Sequence, residues 1–316
     1  MPVTWDDDID AILTGDLTVG LGYRTPAGGV VVLAVAPIGL GDRAEGRLGF
    51  TTSLGFSKKL ERIQRDPRVA MAFHAREHGF ASAPAYVLVQ GRAHVVERPS
   101  PERRQEVSDH ASKYLGPPRR GPFWDRWLRE YAEVRVPVDV AVERIVVWPD
   151  IRCAGEPRVL GAPLPSEPPA PQRPPKNGTA PRVDAAKAGA RVRKTAHTLL
   201  GYAGADGYPV VLPAVVESAD GDGLALSCSA ALPPGGRRAG LLGHSYRPQL
   251  VGLETRACTG WLEVGDGGPR YSPHTETGYR APPNKTLLLL LNGLMAKRGV
   301  RKARASRATP RSQDSG

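Results

Sequence analysis

The densest group of chemistry-bearing residues in the 316-residue sequence runs Phe50-Thr51-Thr52-Ser53, then Ser57-Lys58-Lys59, then Asp66-Pro67-Arg68-Val69. Hydroxyl residues end a β-type run, and a basic helix N-terminus follows within a few positions. Hydroxyls, free backbone N–H groups and a lysine acting as a point charge together make a cradle for a phosphate. A plainer reading is that Lys58 and Lys59 solvate the exposed face of a short helix. Spacing alone favours the plainer reading.

The remaining candidates are weaker. His74 and His78 lie four apart, but Gly79, Ala83 and Pro84 make a loop there, and no carboxylate or cysteine completes a metal site. His94 falls on the same face of its strand as Gln90 and Arg92. His244 and Tyr246 read as loop residues. Cys153, Cys228 and Cys258 are too widely spaced for a zinc site or a redox dithiol, and read as reduced thiols. Neither a Ser–His–Asp set nor a pair of carboxylates at catalytic spacing is visible, so no catalytic side chain is assigned. The stretch from Tyr271 to Pro283 combines Tyr, His and Arg with proline. It reads as a loop that either closes over a cofactor groove or wraps the surface before a helix capped by Asn284.

These residues need a frame. In residues 1–160, β-type runs at 17–23, 29–36, 47–52, 69–73, 85–96 and 138–148 alternate with turn signals. Helices are expected at 57–65, stopped by Pro67, at 101–114 after an N-cap at Ser100, and at 124–133. A linker at 161–190 follows, with eight prolines between 161 and 183 and almost no large apolar residue, a composition that favours an extended spacer. The block at 191–296 repeats the order more weakly, with strands at 198–203, 208–216, 224–227, 249–253 and 256–264 and a possibly helical stretch at 237–243. Thr51-Thr52-Ser53 matches Ser227-Cys228-Ser229, and the run from Val87 to Ala93 matches that from Arg256 to Leu262, as in a duplicated module. Short strands with few intervening helices do not support a doubly wound parallel fold. They indicate a mainly β, α+β protein of two small antiparallel barrels with helical decoration.

Composition is that of an ordinary globular protein, 41% hydrophobic and 24% charged. The net charge of +11 is uneven: residues 297–316 carry seven Lys/Arg against one Asp, or +6, and read as a disordered basic tail. With no aromatic platform or recognition helix beside that charge, a specific nucleic-acid partner is not expected. The acidic N-terminus lacks an apolar signal core and the longest apolar run, 287–291, is far too short to span a membrane, so a cytoplasmic protein with no membrane partner is expected.

The ordered set Thr51, Thr52, Ser53, Lys58, Pro67, Arg68, Val69, Val87, Val89, Gly91 and Ala93 resembles the pyridoxamine 5′-phosphate oxidase-like family, especially its actinobacterial flavin/deazaflavin oxidoreductases. The likeness covers most of 10–150 and, more weakly, 195–265. It implies two tandem FMN-binding split β-barrels with a cofactor in the groove between them. They would pair as a pseudo-dimer within one chain, or between chains as a homodimer. It also implies that Thr51, Thr52, Ser53 and Lys58, with Lys59 as a secondary contributor, hold the cofactor phosphate in a site centred on Lys58, and leaves Arg237 and Arg238 as the grip of a second, degenerate site. The implied activity is hydride transfer to a small organic substrate with FMN or, nearly as well, the deazaflavin coenzyme F-420. The alternative is a non-catalytic flavin- or haem-binding protein. Where the family carries a D-G-x-P turn, the second block has Asp206-Gly207-Tyr208-Pro209 and the first has only Ala27-Gly28-Gly29-Val30.

Overall fold

The alternating apolar runs resolve, in a computed structural model, into two antiparallel sheets with one strand order. The structure describes residues 2–53, 56–133 and 135–308. The first half contains α1 (Asp7–Gly15), β1 (Val19–Arg24), β2 (Val30–Val35), β3 (Gly41–Asp42), β4 (Arg47–Ser53), α2 (Ser57–Arg65), β5 (Arg68–Phe73), β6 (Tyr86–Val95), α3 (Pro101–Leu115), α4 (Pro122–Glu133), β7 (Arg135–Trp148) and β8 (Arg158–Gly161). The second contains α5 (Ala185–Arg193), β9 (His197–Ala203), β10 (Pro209–Pro213), β11 (Val215–Asp220), β12 (Gly223–Ser227), β13 (Gly235–Ser245), β14 (Glu254–Gly265), β15 (Gly268–Arg280) and α6 (Lys285–Ala308).

The first sheet runs β2-β1-β5-β6-β7-β4-β3, with β8 added on β7, and the second runs β10-β9-β13-β14-β15-β12-β11. Adding eight to each label turns one order into the other, and the correspondence reaches single residues. Arg24↔Val30 closes the first hairpin as Ala203↔Pro209 closes its counterpart, and Gly20↔Ala72 corresponds to Leu199↔Leu242. The β6–β7 ladder slips between Gln90 and Gly91, and the β14–β15 ladder slips between Thr259 and Gly260. The sequence match of 87–93 with 256–262 sets those same two glycines opposite each other.

Strands β1, β5 and β6 are apolar on both faces because both are covered. Val19, Leu21, Val69, Met71 and Val89 point into a core with Phe50 and Ile63 inside the first half. Ala70, Ala72, Tyr86 and Leu88 point the other way, into a core shared with Leu199, Leu200, Val211 and Leu241 of the second. Closeness at this second face comes from glycine. A Cβ on Gly22 would stand 2.7 Å from Val211 Cγ2, and one on Gly201 would stand 2.3 Å from Val32 Cγ2. These are corresponding positions, so each half offers the other the same notch and the same valine.

Polar contacts repeat the exchange. The β9–β10 turn reaches the first sheet, where Arg144 Nη2 donates to Asp206 Oδ2 (2.6 Å), Arg68 Nη1 to the Asp206 carbonyl (3.1 Å) and Arg24 Nη1 to the Gly207 carbonyl (3.2 Å). Gln90 Nε2 donates to the Pro209 carbonyl (2.7 Å). The β1–β2 turn reaches the second half, where Gly29 packs on Arg238 and Gln172 Nε2 donates to the Gly28 carbonyl (3.1 Å). The proline-rich segment is more than a spacer. It forms no helix or strand between 162 and 183, yet its Pro163 and Pro169 carbonyls accept from Arg144 and Arg237, and Gln172 N–H donates to the Gly236 carbonyl.

Five sequence expectations are corrected. Residues 237–243 are the middle of strand β13, held between β9 and β14 and buried on nearly every residue. Residues 249–253 form a turn, because Pro248 starts a 3₁₀ segment and Gln249 and Leu250 take positive φ. The single strand expected at 208–216 is two, broken at Ala214. The expected loop from Tyr271 is the long strand β15, paired with both β14 and β12, so it is no lid. The basic tail from Lys297 continues helix α6 to Ala308, and its last residues, 309–316, lie outside the described residues. Helix α1, which the strand pattern did not reveal, is capped by the Asp6 carboxylate on the Ile9 N–H.

Filling a notch tests the packing. Gly22→Val should cost about 1–3 kcal/mol of stability through overpacking, read as a lower urea midpoint. Gly221→Ala, where a Cβ meets nothing within 4 Å, should leave the midpoint in place.

Candidate functional site

Strand β4 ends beside β7, and the register sets Thr51 opposite Pro137, Thr52 opposite Val136 and Ser53 opposite Arg135. The two threonines are buried because β4 is covered on both faces. Arg135 reaches back over the strand end: Nη1 donates to Thr51 Oγ1 (2.6 Å) and Nη2 to the Tyr131 hydroxyl (2.8 Å). The Thr52 hydroxyl is buried with no partner among the described residues. Ser53 is half-buried.

Helix α2 decides between the two lysines. Leu60 and Ile63 dock into the core, and the helical period then buries Lys59 on the same side and leaves Lys58 in solvent. Lys59 is only 9% exposed and its ammonium lies 5.0 Å from the centre of the Phe56 ring. Burial, and then the neighbouring Arg135 charge, push it down to about 8. Among the described residues, neither Lys59 nor Arg135 has a carboxylate partner. The α2 N-terminus has no side-chain cap at Phe56, and the Lys59 and Leu60 N–H groups both donate to the Phe56 carbonyl. Two cations and a hydroxyl with no partner among the described residues thus gather at the end of β4, a grouping whose chemistry suits an anion.

The seven residues singled out in the sequence therefore divide. Thr51, Thr52, Ser53 and Lys59 come together, Lys58 belongs to the solvent face of α2, and Arg237 and Arg238 lie elsewhere. Both arginines are on β13, where Arg238 is the positional counterpart of Arg68. Arg238 N–H and Nη1 bond the Gln172 side chain, so it grips the opposite turn by way of the linker. Arg237 is 1% exposed and donates to the Pro169, Pro233 and Pro234 carbonyls while lying over the Tyr202 ring. The true counterpart of Thr51-Thr52 is Ser227-Cys228. No helix follows it, and the residue matching Arg135 is Asp266. The second half thus replaces the cation with a carboxylate. An open concavity on α3, lined by Glu102, Glu106, Asp109 and His110, is likewise acidic.

Arg135 was missed because the last strand of the first half was read as starting at 138. Its signal was the segment Arg135-Val136-Pro137-Val138, which continues the same alternation upstream. Tyr131 and, from the second half, Tyr279 also stand here, since the Tyr131 hydroxyl contributes to raising the Tyr279 phenol after burial.

A second titratable cluster sits between the halves. His74 and His244 occupy corresponding positions, and their Nε2 atoms are 2.7 Å apart. His74 Nδ1 donates to the Ala72 carbonyl (2.9 Å), so its Nε2 accepts from His244 Nε2–H. His197 lies edge-on to His74 and tilted against His244 and pairs with Glu77 (3.2 Å), while Arg76 pairs with the fully buried Asp16. Burial and the neighbouring imidazoles push His74 down to about 3 and His244 well below its ordinary value. The expectation that His244 is a loop residue is corrected, since it lies in β13 opposite His197.

No family model matches the sequence, and no curated protein matches it. Solved structures do. A conserved hypothetical protein from Mycobacterium tuberculosis is 20% identical, with 48% of this chain and 88% of that one covered and a TM-score of 0.34. A protein from Clostridium acetobutylicum related to general stress protein 26, of the pyridoxinephosphate oxidase family, is 10% identical over 42% and 80%, with a TM-score of 0.29. An FAD-binding protein from Mesorhizobium loti is 17% identical over 51% and 97%, with a TM-score of 0.29.

Two predictions follow from these clusters. A phosphate-bearing ligand that binds beside Lys59 needs the ammonium charged. Its affinity should be greatest below pH 8 and fall as pH rises through that value, where phosphate itself is already dianionic. Lys59→Met or Arg135→Met should each weaken binding about 10–100-fold, and Lys59→Arg should flatten the decline, all read by calorimetric titration. The buried histidines act oppositely on stability. Their folded pKa values lie below the unfolded value of about 6.5, so the unfolded chain takes up the protons. Stability is full above that pH and should fall by up to about 1.4 kcal/mol per pH unit for each histidine as pH drops towards 3. In urea titrations, His74→Leu/His244→Leu should show a smaller slope between pH 6.5 and 5.

Proposed function

We propose that the chain is a flavin- or deazaflavin-dependent oxidoreductase whose cofactor phosphate is held by Thr51, Thr52, Ser53, Lys59 and Arg135. The two halves would be split barrels acting as a pseudo-dimer in one chain. The observation that carries this is buried Lys59 beside half-buried Arg135, neither with a carboxylate partner among the described residues, next to a Thr52 hydroxyl that has no partner among them either. Burying the Lys59 ammonium beside a second cation is costly, and a phosphate at the end of β4 offsets that cost with charge-assisted hydrogen bonds.

The residues present suit this group. Arg135 can present paired N–H donors to phosphate oxygens while keeping its bond to Thr51. Lys59 adds a charge from the helix, and the N-terminus of α2 adds the helix dipole. When bound, the isoalloxazine or deazaflavin ring supplies hydride chemistry, and the protein supplies binding, orientation and exclusion of water. No protein nucleophile is required. The deazaflavin coenzyme F-420 carries a longer anionic tail than FMN, and Lys58 and Arg65 lie exposed along α2 to meet it, whereas Arg62 is hydrogen-bonded to the Tyr23 hydroxyl. Because Asp266 stands where Arg135 does in the first half, one cofactor per chain is expected.

The absorbance spectrum of the purified protein, then titration with FMN and with coenzyme F-420, tests the proposal. One of the two should bind with a Kd below about 1 μM, at one site per chain, and be reducible in the complex. Binding of neither, or unchanged binding in Arg135→Met, would refute it, and a Soret band would replace it with haem binding.

A further inference from the structure

Helices α4 and α6 pack together on the outside of the molecule. Trp127 Nε1–H donates to the Leu290 carbonyl (3.3 Å), and the Phe123 ring stacks on Trp127 with centroids 5.9 Å apart. The pairing leaves much apolar surface in water: Phe123 is 56% exposed and Leu287 54%, and Leu294 and Met295 are exposed too. None of the five consecutive leucines 287–291 is fully buried. An apolar patch of this kind on a folded surface marks a contact site.

Its surroundings are cationic. The Arg119 guanidinium lies 5.0 Å from the Trp124 ring centre and donates to Thr286 Oγ1 (2.7 Å) at one end of the seam. The Lys297 ammonium lies 4.0 Å over Trp127 at the other. Helix α6 contains seven cations, Lys285, Lys297, Arg298, Arg301, Lys302, Arg304 and Arg307, and no Asp or Glu. Apolar residues occupy its first half and cations its second.

We propose that this face docks on an anionic lipid surface, with Phe123, Leu287, Leu294 and Met295 entering the boundary between headgroups and acyl chains while Arg119, Lys297 and the basic sequence that continues α6 supply the charge that attracts the headgroups. Charge selects this occupant. A second copy would set seven cations against seven. A nucleic acid would satisfy the cations and leave the leucines, Phe123 and Met295 without a partner, whereas an anionic bilayer surface takes both. Among the described residues no helix is long and apolar enough to cross a membrane, so α6 lies on the surface. This proposal departs from the sequence expectation of no membrane partner. Nothing in this docking depends on the cofactor proposal.

The test is co-sedimentation of the full chain with vesicles of phosphatidylcholine alone or mixed with phosphatidylglycerol. The chain should partition onto the mixed vesicles, and salt should weaken the binding. Leu287→Ser/Leu294→Ser, at exposed positions, should reduce partitioning about tenfold or more with an unchanged thermal melt. Arg301→Glu, Lys302→Glu and Arg304→Glu together should reduce it by at least about fivefold for each cation removed. No partitioning, or partitioning that the double serine variant leaves intact, overturns the proposal. So does duplex DNA binding that the charge variants abolish while vesicles are ignored, or a stable dimer that the double serine variant dissociates.

Discussion

The face shared by the two sheets governs the rest of the structure. β1, β5 and β9 must bury both of their sides, and the close approach of their backbones rests on the reciprocal pairs Gly22 with Val211 and Gly201 with Val32. Once these interlock, each first hairpin projects over the opposite half. The β9–β10 turn then meets Arg24, Arg68 and Arg144, and the β1–β2 turn meets Arg238 and Gln172. His74 and His244 meet because corresponding positions converge at the centre of the exchange. The linker's prolines lend their carbonyls to arginines buried by the same contact, so a segment of low apolar content still adds to cohesion.

On this two-part frame the chemistry is one-sided. Both halves end the same strand with small polar residues, but only the first follows it with a helix and faces it with an arginine. Helix α2 turns Lys59 inward, Arg135 crosses above Thr51, and among the described residues no carboxylate neutralises either. Asp266 and the helix-free connection after Ser227 remove both contributions from the second half. Its arginines at 237 and 238 serve cohesion instead, holding carbonyls and the linker.

Much of the frame was legible in the sequence. Two-residue alternation and turn chemistry placed most strands of the first half, Ser100 and Asn284 marked real helix starts, and the match of Gly91 with Gly260 fell on the same ladder irregularity in both sheets. Proline and glycine concealed the rest. Pro269 and Pro273 disguised β15 as a loop, though Pro273 sits at the irregularity opposite Gly260, where a missing N–H does little harm. Gly235-Gly236 and two arginines hid β13, whose burial depends on strands distant in sequence. The choice between Lys58 and Lys59 turns on a rotation of about 100° around a helix, which only the docking of Leu60 and Ile63 sets. Arg135 became visible only through pairing with Ser53, a long-range register that no local pattern encodes.

The protonation of Lys59 tests the central claim most directly. Its ammonium can be followed by NMR through a pH titration of the protein alone and of the protein with FMN or coenzyme F-420. An anion seated between Lys59 and Arg135 should raise the midpoint from about 8, because the charged form then gains a partner. The same midpoint in the free and the ligand-saturated protein would contradict the claim that this cradle holds the cofactor phosphate.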